Sequence, residues 1–327
     1  MIVCCGEALM DMVPDGGRED AFLARPGGCA YNTAIAAARL GSPTRFLGRI
    51  GKDFFGGTLV GRLADNGVDT SLVARSDEGA TLAFVQRGAS GDARYAFYST
   101  GAADRSFDRV DLPASLGRDA SFLVVGSISM VLEPAASTIE GLIERERDRI
   151  LVALDPNVRP SLIADRAAYM DRFLRWASWA SIVKASSEDL EWLFPELQPE
   201  DRACRLLAAG GAAGGSMGAE LVIETRGGGG AVARTRKAEV FAPAFQVEVV
   251  DTIGAGDTFH AALLHRLDSA AVSSREALRE LDKASLREIL VFAQAAAALD
   301  CTRTGAEPPR SGELREFLSR ARGLSPA

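Results

Sequence analysis

The residues best equipped for chemistry lie in one stretch, Asp251-Thr252-Ile253-Gly254-Ala255-Gly256-Asp257. Residues 247–250 ahead of it form a β-branched run that reads as a strand end. Residues 258–267 behind it carry an apolar helical pattern without proline. Glycines at a strand-to-helix turn let several backbone N–H groups converge on one point, and the helix N-terminus adds partial positive charge there. A phosphate binds well in such a place. Asp257, one residue past the second glycine, could take a proton from a hydroxyl held beside that anion. The same acid could equally be an ordinary helix cap. Spacing alone leaves the two readings even.

Other reactive groups recur just past strand-like runs. Asp11 follows the apolar run 2–5 and Gly6-Glu7, where open α/β sheets bind ligands, although a surface acid would look the same. Gly27-Gly28-Cys29-Ala30-Tyr31-Asn32 leads into an alanine-rich helix at 33–40, and paired glycines allow close backbone approach to ligand and sheet. Asp155-Pro156-Asn157-Val158-Arg159-Pro160 follows the buried run 150–154, and Arg159 could grip a sugar or phosphoryl oxygen. The strand at 181–184 ends on Lys184. Ser186, Glu188 and Asp189 after it match ordinary helix capping. Thr225-Arg226-Gly227-Gly228-Gly229-Gly230 follows a strand at 220–224 and alone is a weak hairpin signal. The glycine-rich run 208–219 leads into that strand, so it offers no helix N-terminus and reads as a surface loop. Gly-Lys-Ser/Thr is missing, which excludes a P-loop.

In order and over nearly the whole chain, these motifs resemble the ribokinase-like (PfkB-type) carbohydrate kinases. Residues 251–257 match the family signature Asp-Thr-x-Gly-Ala-Gly-Asp. The resemblance implies that Asp257 is the catalytic base and that the amides of Gly254, Ala255 and Gly256 form an anion hole. It places the sugar on Asp11, Gly27, Gly28, Asn32 and Arg159, with Phe97 facing it. It places ATP on Asn157, Lys184, Thr225, Gly227, Gly230, Gly254, Gly256 and Ala298. Mg2+ would be reached through water from Asp155, Glu188 or Asp189; the family carries Glu where this chain has Asp189. The loop around Asp251 could hold a monovalent cation such as K+. Residues 6–11, 155–160, 183–193 and 301–308 are most similar to the bacterial fructokinases, which implies D-fructose converted to fructose 6-phosphate. Phosphorylation of 2-keto-3-deoxygluconate, ribose or a nucleoside is the alternative within the family. A non-catalytic sugar-binding module, or a dinucleotide-dependent oxidoreductase, is the distant one. The oxidoreductase requires Gly-x-Gly-x-x-Gly after the first strand, but Gly6 is followed by Glu7-Ala8-Leu9.

The elements that must position these groups follow a strand–helix alternation from about residue 104, which predicts a mostly parallel sheet covered on both faces. The expected architecture is a three-layer α/β sandwich forming a single kinase domain over 1–327. Two β-type runs at 81–87 and 94–98, joined by the hairpin-like residues 88–92, read as a lid inserted from about 13–27 and 78–102. An uncovered lid face bearing Leu82, Tyr95 and Phe97 would be costly in water, which predicts a homodimer. With 327 residues, 47% hydrophobic composition and mean hydropathy of +0.05, the chain can bury a large core. A net charge of −7 and a pI near 5.1 give no reason to expect nucleic acid or membrane as partner. Five cysteines without metal-ligand spacing fit reduced thiols in a cytoplasm, and two histidines argue against a His-rich zinc site or a Ser-His-Asp hydrolase. The chain opens directly on the strand-like run 2–5, so no signal peptide is expected.

Overall fold

The computed structural model describes residues 1–15, 18, 20–87, 93–208 and 218–323. The expected hairpin loop 88–92 and most of the glycine-rich run 208–219 lie outside them. In chain order the first half lays down β1 (Ile2–Cys5), β2 (Leu9–Pro14), β3 (Phe22–Gly27), α1 (Cys29–Leu40), β4 (Thr44–Gly51), α2 (Phe54–Asp65), β5 (Val73–Ser76), β6 (Leu82–Arg87) and β7 (Ala93–Tyr98). It continues with β8 (Phe122–Gly126), α3 (Ala135–Glu146), β9 (Leu151–Asp155), α4 (Arg166–Trp179), β10 (Ile182–Ser186), α5 (Ser187–Leu193) and α6 (Pro199–Ala208). The last third adds β11 (Leu221–Thr225), β12 (Ala231–Arg234), β13 (Glu239–Ala242), α7 (Ala255–Ser269), α8 (Arg275–Arg279), α9 (Lys283–Cys301) and α10 (Ser311–Gly323).

Nine strands form one sheet in the order β13-β12-β11-β10-β9-β8-β1-β4-β5. The seven from β11 to β5 pair in parallel, and β12 and β13 continue antiparallel. β1, β8 and β9 are buried along their whole length, which is why they read as continuous apolar runs. One apolar layer packs α1, α7 and α9 on one face of the sheet; a second packs α3, α4 and α6 on the other. The chain leaves β1 toward β4 and later returns toward β8, so strand order reverses at β1. The crevice outside the carboxyl ends of the strands there is where such sheets take ligands.

A four-stranded sheet, β3-β2-β6-β7, stands over that crevice as the lid. It starts earlier than expected: β2 begins at Leu9, so Asp11 is a lid-strand residue and not the loop after β1. The side chains of β7 also alternate differently from the expectation. Tyr95 and Phe97 turn inward with Leu9, Ala83 and Ile128, whereas Tyr98 points out at 66% exposure. Phe22 shares the outer face, where Phe84 makes edge contacts with Phe22 and Tyr98; Leu23, also exposed, lies on the opposite face, in register with Val13 and on the side of Asp11. The outer apolar face is real, but different residues carry it.

The strand expected at 247–250 does not form. Val249 and Val250 are exposed, and Val250 N and Asp251 N both donate to the single carbonyl of Cys301. β-branched composition needs a neighbouring strand edge to become a ladder, and none is in reach here. No helix among the described residues is long and apolar enough to cross a membrane.

Candidate active site

Gly254 is the N-cap of α7 in a left-handed conformation, φ 84°. A Cβ there would fall 2.5 Å from that of Ala306, so both φ and space call for glycine. The turn sets Asp257 in the first turn of α7, buried, with Asn32 Nδ2 of α1 donating to its Oδ2 at 2.9 Å. Burial pushes the Asp257 carboxyl up to about 6; the bonds from Asn32 and Cys29 pull it back, and the charge of Asp155 adds to the rise. Under its floor the buried Lys184 Nζ lies 2.7 Å from Asp155 Oδ2. Burial works against that ammonium, but the Asp155 charge and hydrogen bond hold it above the ordinary lysine range.

On the other side of the cavity Gly28 caps α1 at φ 115°, and a Cβ there would sit 2.6 Å from the Glu7 carbonyl. The Glu7 carboxylate accepts from Cys29 N at 2.9 Å and from the Ser129 hydroxyl. One buried acid therefore ties the end of β1, the start of α1 and the turn after β8 together. From the lid, Asp11 reaches down to Gly27, where a Cβ would fall 2.1 Å from its Oδ2. Burial raises Asp11 to about 7, helped by the Asp257 charge and opposed by Arg159. Arg159 Nη1 is steered by Asn157 Oδ1 at 2.7 Å, and its guanidinium lies over the Tyr95 ring, 5.4 Å from the centroid.

These groups line one cavity of about 220 Å3: Asp11, Gly28, Asn32, Phe97, Asn157, Arg159, Lys184, Gly254, Gly256 and Asp257 all face it. A second cavity of about 240 Å3 abuts it and shares Thr252 and Gly256. Thr225, Gly227, Gly230, Ala255 and Ala298 line this second one, among apolar walls from Phe245, Val247 and Val249. The Gly-Ala-Gly turn thus stands where the two cavities meet. Asp251 stays off both, accepting from Thr252 N, Ile253 N and Gly305 N, which ties its loop to the one after α9.

The three acids expected near magnesium separate. Asp189 is the third residue of a capping box: its Oδ2 accepts from Ser186 N and Oγ, and its Oδ1 from Val158 N at 2.7 Å. Both oxygens are already hydrogen-bonded, so Asp189 braces this loop whatever else it does. Glu188 is exposed beside it. Asp155 is fully buried, and its Oδ1 has no hydrogen bond among the described residues. An unpartnered carboxylate oxygen under the junction fits a hydrated cation.

Sequence reasoning missed Glu7, Cys29, Ser127 and Ile128. Glu7 stood in the matched run of residues 6–11 and was given no role; Ser127 and Ile128 gave no signal at all, because only the fold brings the turn after β8 to the cavity.

The family model for pfkB family carbohydrate kinases matches residues 1–311. The chain belongs to this family. It is accordingly a sugar kinase. The fructokinase of Rhizobium leguminosarum bv. trifolii is 38% identical over 324 residues, covering 98% of this chain and 91% of that one. The crystal structure of the Xylella fastidiosa fructokinase with bound ATP superposes with a TM-score of 0.87 at 30% identity, covering 98% of each chain. A fructokinase double mutant from Vibrio cholerae O395, with fructose, ADP and a potassium ion bound, gives a TM-score of 0.83 at 26% identity over 97% of each chain. The ribokinase-like α/β fold with a small lid is therefore established for this chain.

Proposed function

We propose that this kinase transfers the γ-phosphoryl group of ATP to the primary hydroxyl of D-fructose, giving fructose 6-phosphate. The observation that carries the reading is the position of Asp257 and the Gly254–Gly256 turn at the junction of a polar cavity and an apolar one. The polar cavity suits a sugar: carboxylate, amide and guanidinium groups from Asp11, Asn32 and Arg159 face it, with Tyr95 and Phe97 behind. The apolar walls and glycine turn of the other suit a purine and its phosphates. In-line transfer needs alignment and charge neutralisation more than covalent work. Asp257 accepts the hydroxyl proton; N–H groups of the turn and Lys184 meet the negative charge on the transferred group.

Magnesium, when bound, neutralises the phosphates and aligns them. Asp155 with Glu188 or Asp189 would hold it through water, Asp189 also bracing their loop. The loop of Asp251 would hold a monovalent cation. The chain acts as one kinase unit in the cytoplasm, and the outer lid face pairs two copies.

A coupled assay with ATP and a sugar panel tests the reading. Fructose should give the highest kcat/KM. Turnover of 2-keto-3-deoxygluconate above fructose would reassign Arg159 to a substrate carboxylate, and no turnover on any sugar would end the proposal.

A further inference from the structure

Beneath the sugar cavity, Cys29 Sγ, a carboxylate oxygen of Asp155 and one of Asp257 all lie within 4.8 Å of one another, and all three residues are buried. Thiolate with carboxylates is a donor set for zinc-class cations, whereas magnesium prefers oxygen alone. The oxygens are not all committed. Lys184 takes Asp155 Oδ2, and Asn32 takes Asp257 Oδ2, while Asp155 Oδ1 has no bond among the described residues.

The surrounding field favours a cation. Burial raises the Cys29 thiol well above its ordinary range, and the charges of Asp257, Asp155 and Glu7 raise it further. The same three negative charges would attract a divalent ion. Lys184 opposes it from its bond to Asp155. His260, whose Nδ1 is 3.9 Å from Asp155 Oδ2, adds no charge, because burial and then Lys184 push it down to about 3.

We infer that Cys29, Asp155 and Asp257 form an inhibitory site for a soft divalent cation such as Zn2+, which excludes the sugar by occupying the catalytic carboxylate. Binding replaces the thiol proton: the S–H bond breaks, an S–metal bond forms, and one proton leaves to solvent with no electron transferred. The inhibition rests on the kinase reading; the binding does not.

Co2+ is the probe, with the exposed Cys204 removed by Cys204→Ser so that it cannot compete. Titrating the metal-stripped full chain should give a thiolate-to-cobalt near-UV band saturating at one equivalent. Cys29→Ser should abolish the band, and Asp155→Asn should weaken Co2+ binding at least tenfold. In the same background Zn2+ should raise the KM for fructose and leave kcat unchanged, reversibly on adding a chelator. Absence of the band, or its survival in Cys29→Ser, overturns the site; neither needs turnover, and the first is read on the parent chain without that variant. A band without competition against fructose overturns the inhibitory role. Failure of the kinase reading shows separately, as absent turnover in the metal-free parent.

Discussion

Asp257, the proposed base, is held where a carboxylate is uncomfortable. Its pKa near 6 leaves it ionised and basic at neutral pH, and wild-type kcat should decline as pH falls below about 6. Asp257→Asn keeps the shape and cannot accept a proton, so kcat should fall by at least about 10²-fold with ATP binding little changed. The same substitution should stabilise the fold at neutral pH. The folded pKa of about 6 exceeds the ordinary 3.8, so the folded chain binds this proton more tightly than the unfolded chain does. Stability from the group is greatest below about pH 4 and is lost as pH rises to about 6. Above that window the ionised acid costs up to about 3 kcal/mol, from 2.2 pKa units at about 1.4 each. Thermal unfolding at pH 8 and pH 4 checks this: a higher Tm for the variant at pH 8 only. Equal Tm values at pH 8 would show that burial of this charge is fully compensated.

Between residues and fold stand two small braces. Glu7 joins the ends of β1 and β8 to the N-terminus of α1 through Cys29 N and Ser129. Glu7→Gln retains an acceptor for Cys29 N; Glu7→Ala leaves that buried N–H unsatisfied, at about 1–3 kcal/mol. Glu7→Ala should raise the KM for sugar several-fold without moving that for ATP, and Glu7→Gln should recover most of it. A parallel rise in both constants would mean general loosening. The capping box of α5 separates two neighbouring acids. Asp189→Ala should cost about 1–2 kcal/mol in denaturant unfolding, whereas Glu188→Gln should leave stability alone and raise the magnesium concentration needed for half-maximal rate. Equal stability losses would dissolve the distinction.

At the scale of the molecule, the lid does two jobs with one alternation. Its inner residues, Asp11, Tyr95 and Phe97, close the cavity, and its outer residues Phe22 and Tyr98 are left to water. A sheet with an exposed aromatic face is a surface for association. Phe22→Asp with Tyr98→Glu should therefore turn a dimer into a monomer by light scattering. It should also weaken sugar binding, since a lid without its partner is less ordered. A wild-type monomer at micromolar concentration would refute the pairing.

Much of this was legible in the chain itself. Local rules set the glycine turn before α7, the buried runs of β1 and β9, and the alternation that gives a parallel sheet. Each depends on residues a few positions apart, so spacing carries it. Part of the two cavities' linings was named as well, because the family motifs mark residues such as Asp11, Asn32, Thr225 and Asp257 by type, while Cys29, Ser127 and Ile128 went unmarked. What only the tertiary structure decided is partnership across distance. Residues 247–250 had strand composition and found no edge. Asp189 and Glu188 were indistinguishable until Val158 N, 31 residues away, occupied one of them. Cys29 at the start of α1, Asp155 at the end of β9 and Asp257 in the first turn of α7 meet only in the folded chain. A side chain's type is written in sequence, but which atoms compete for it is settled by packing, and competition is what separates a brace from a ligand.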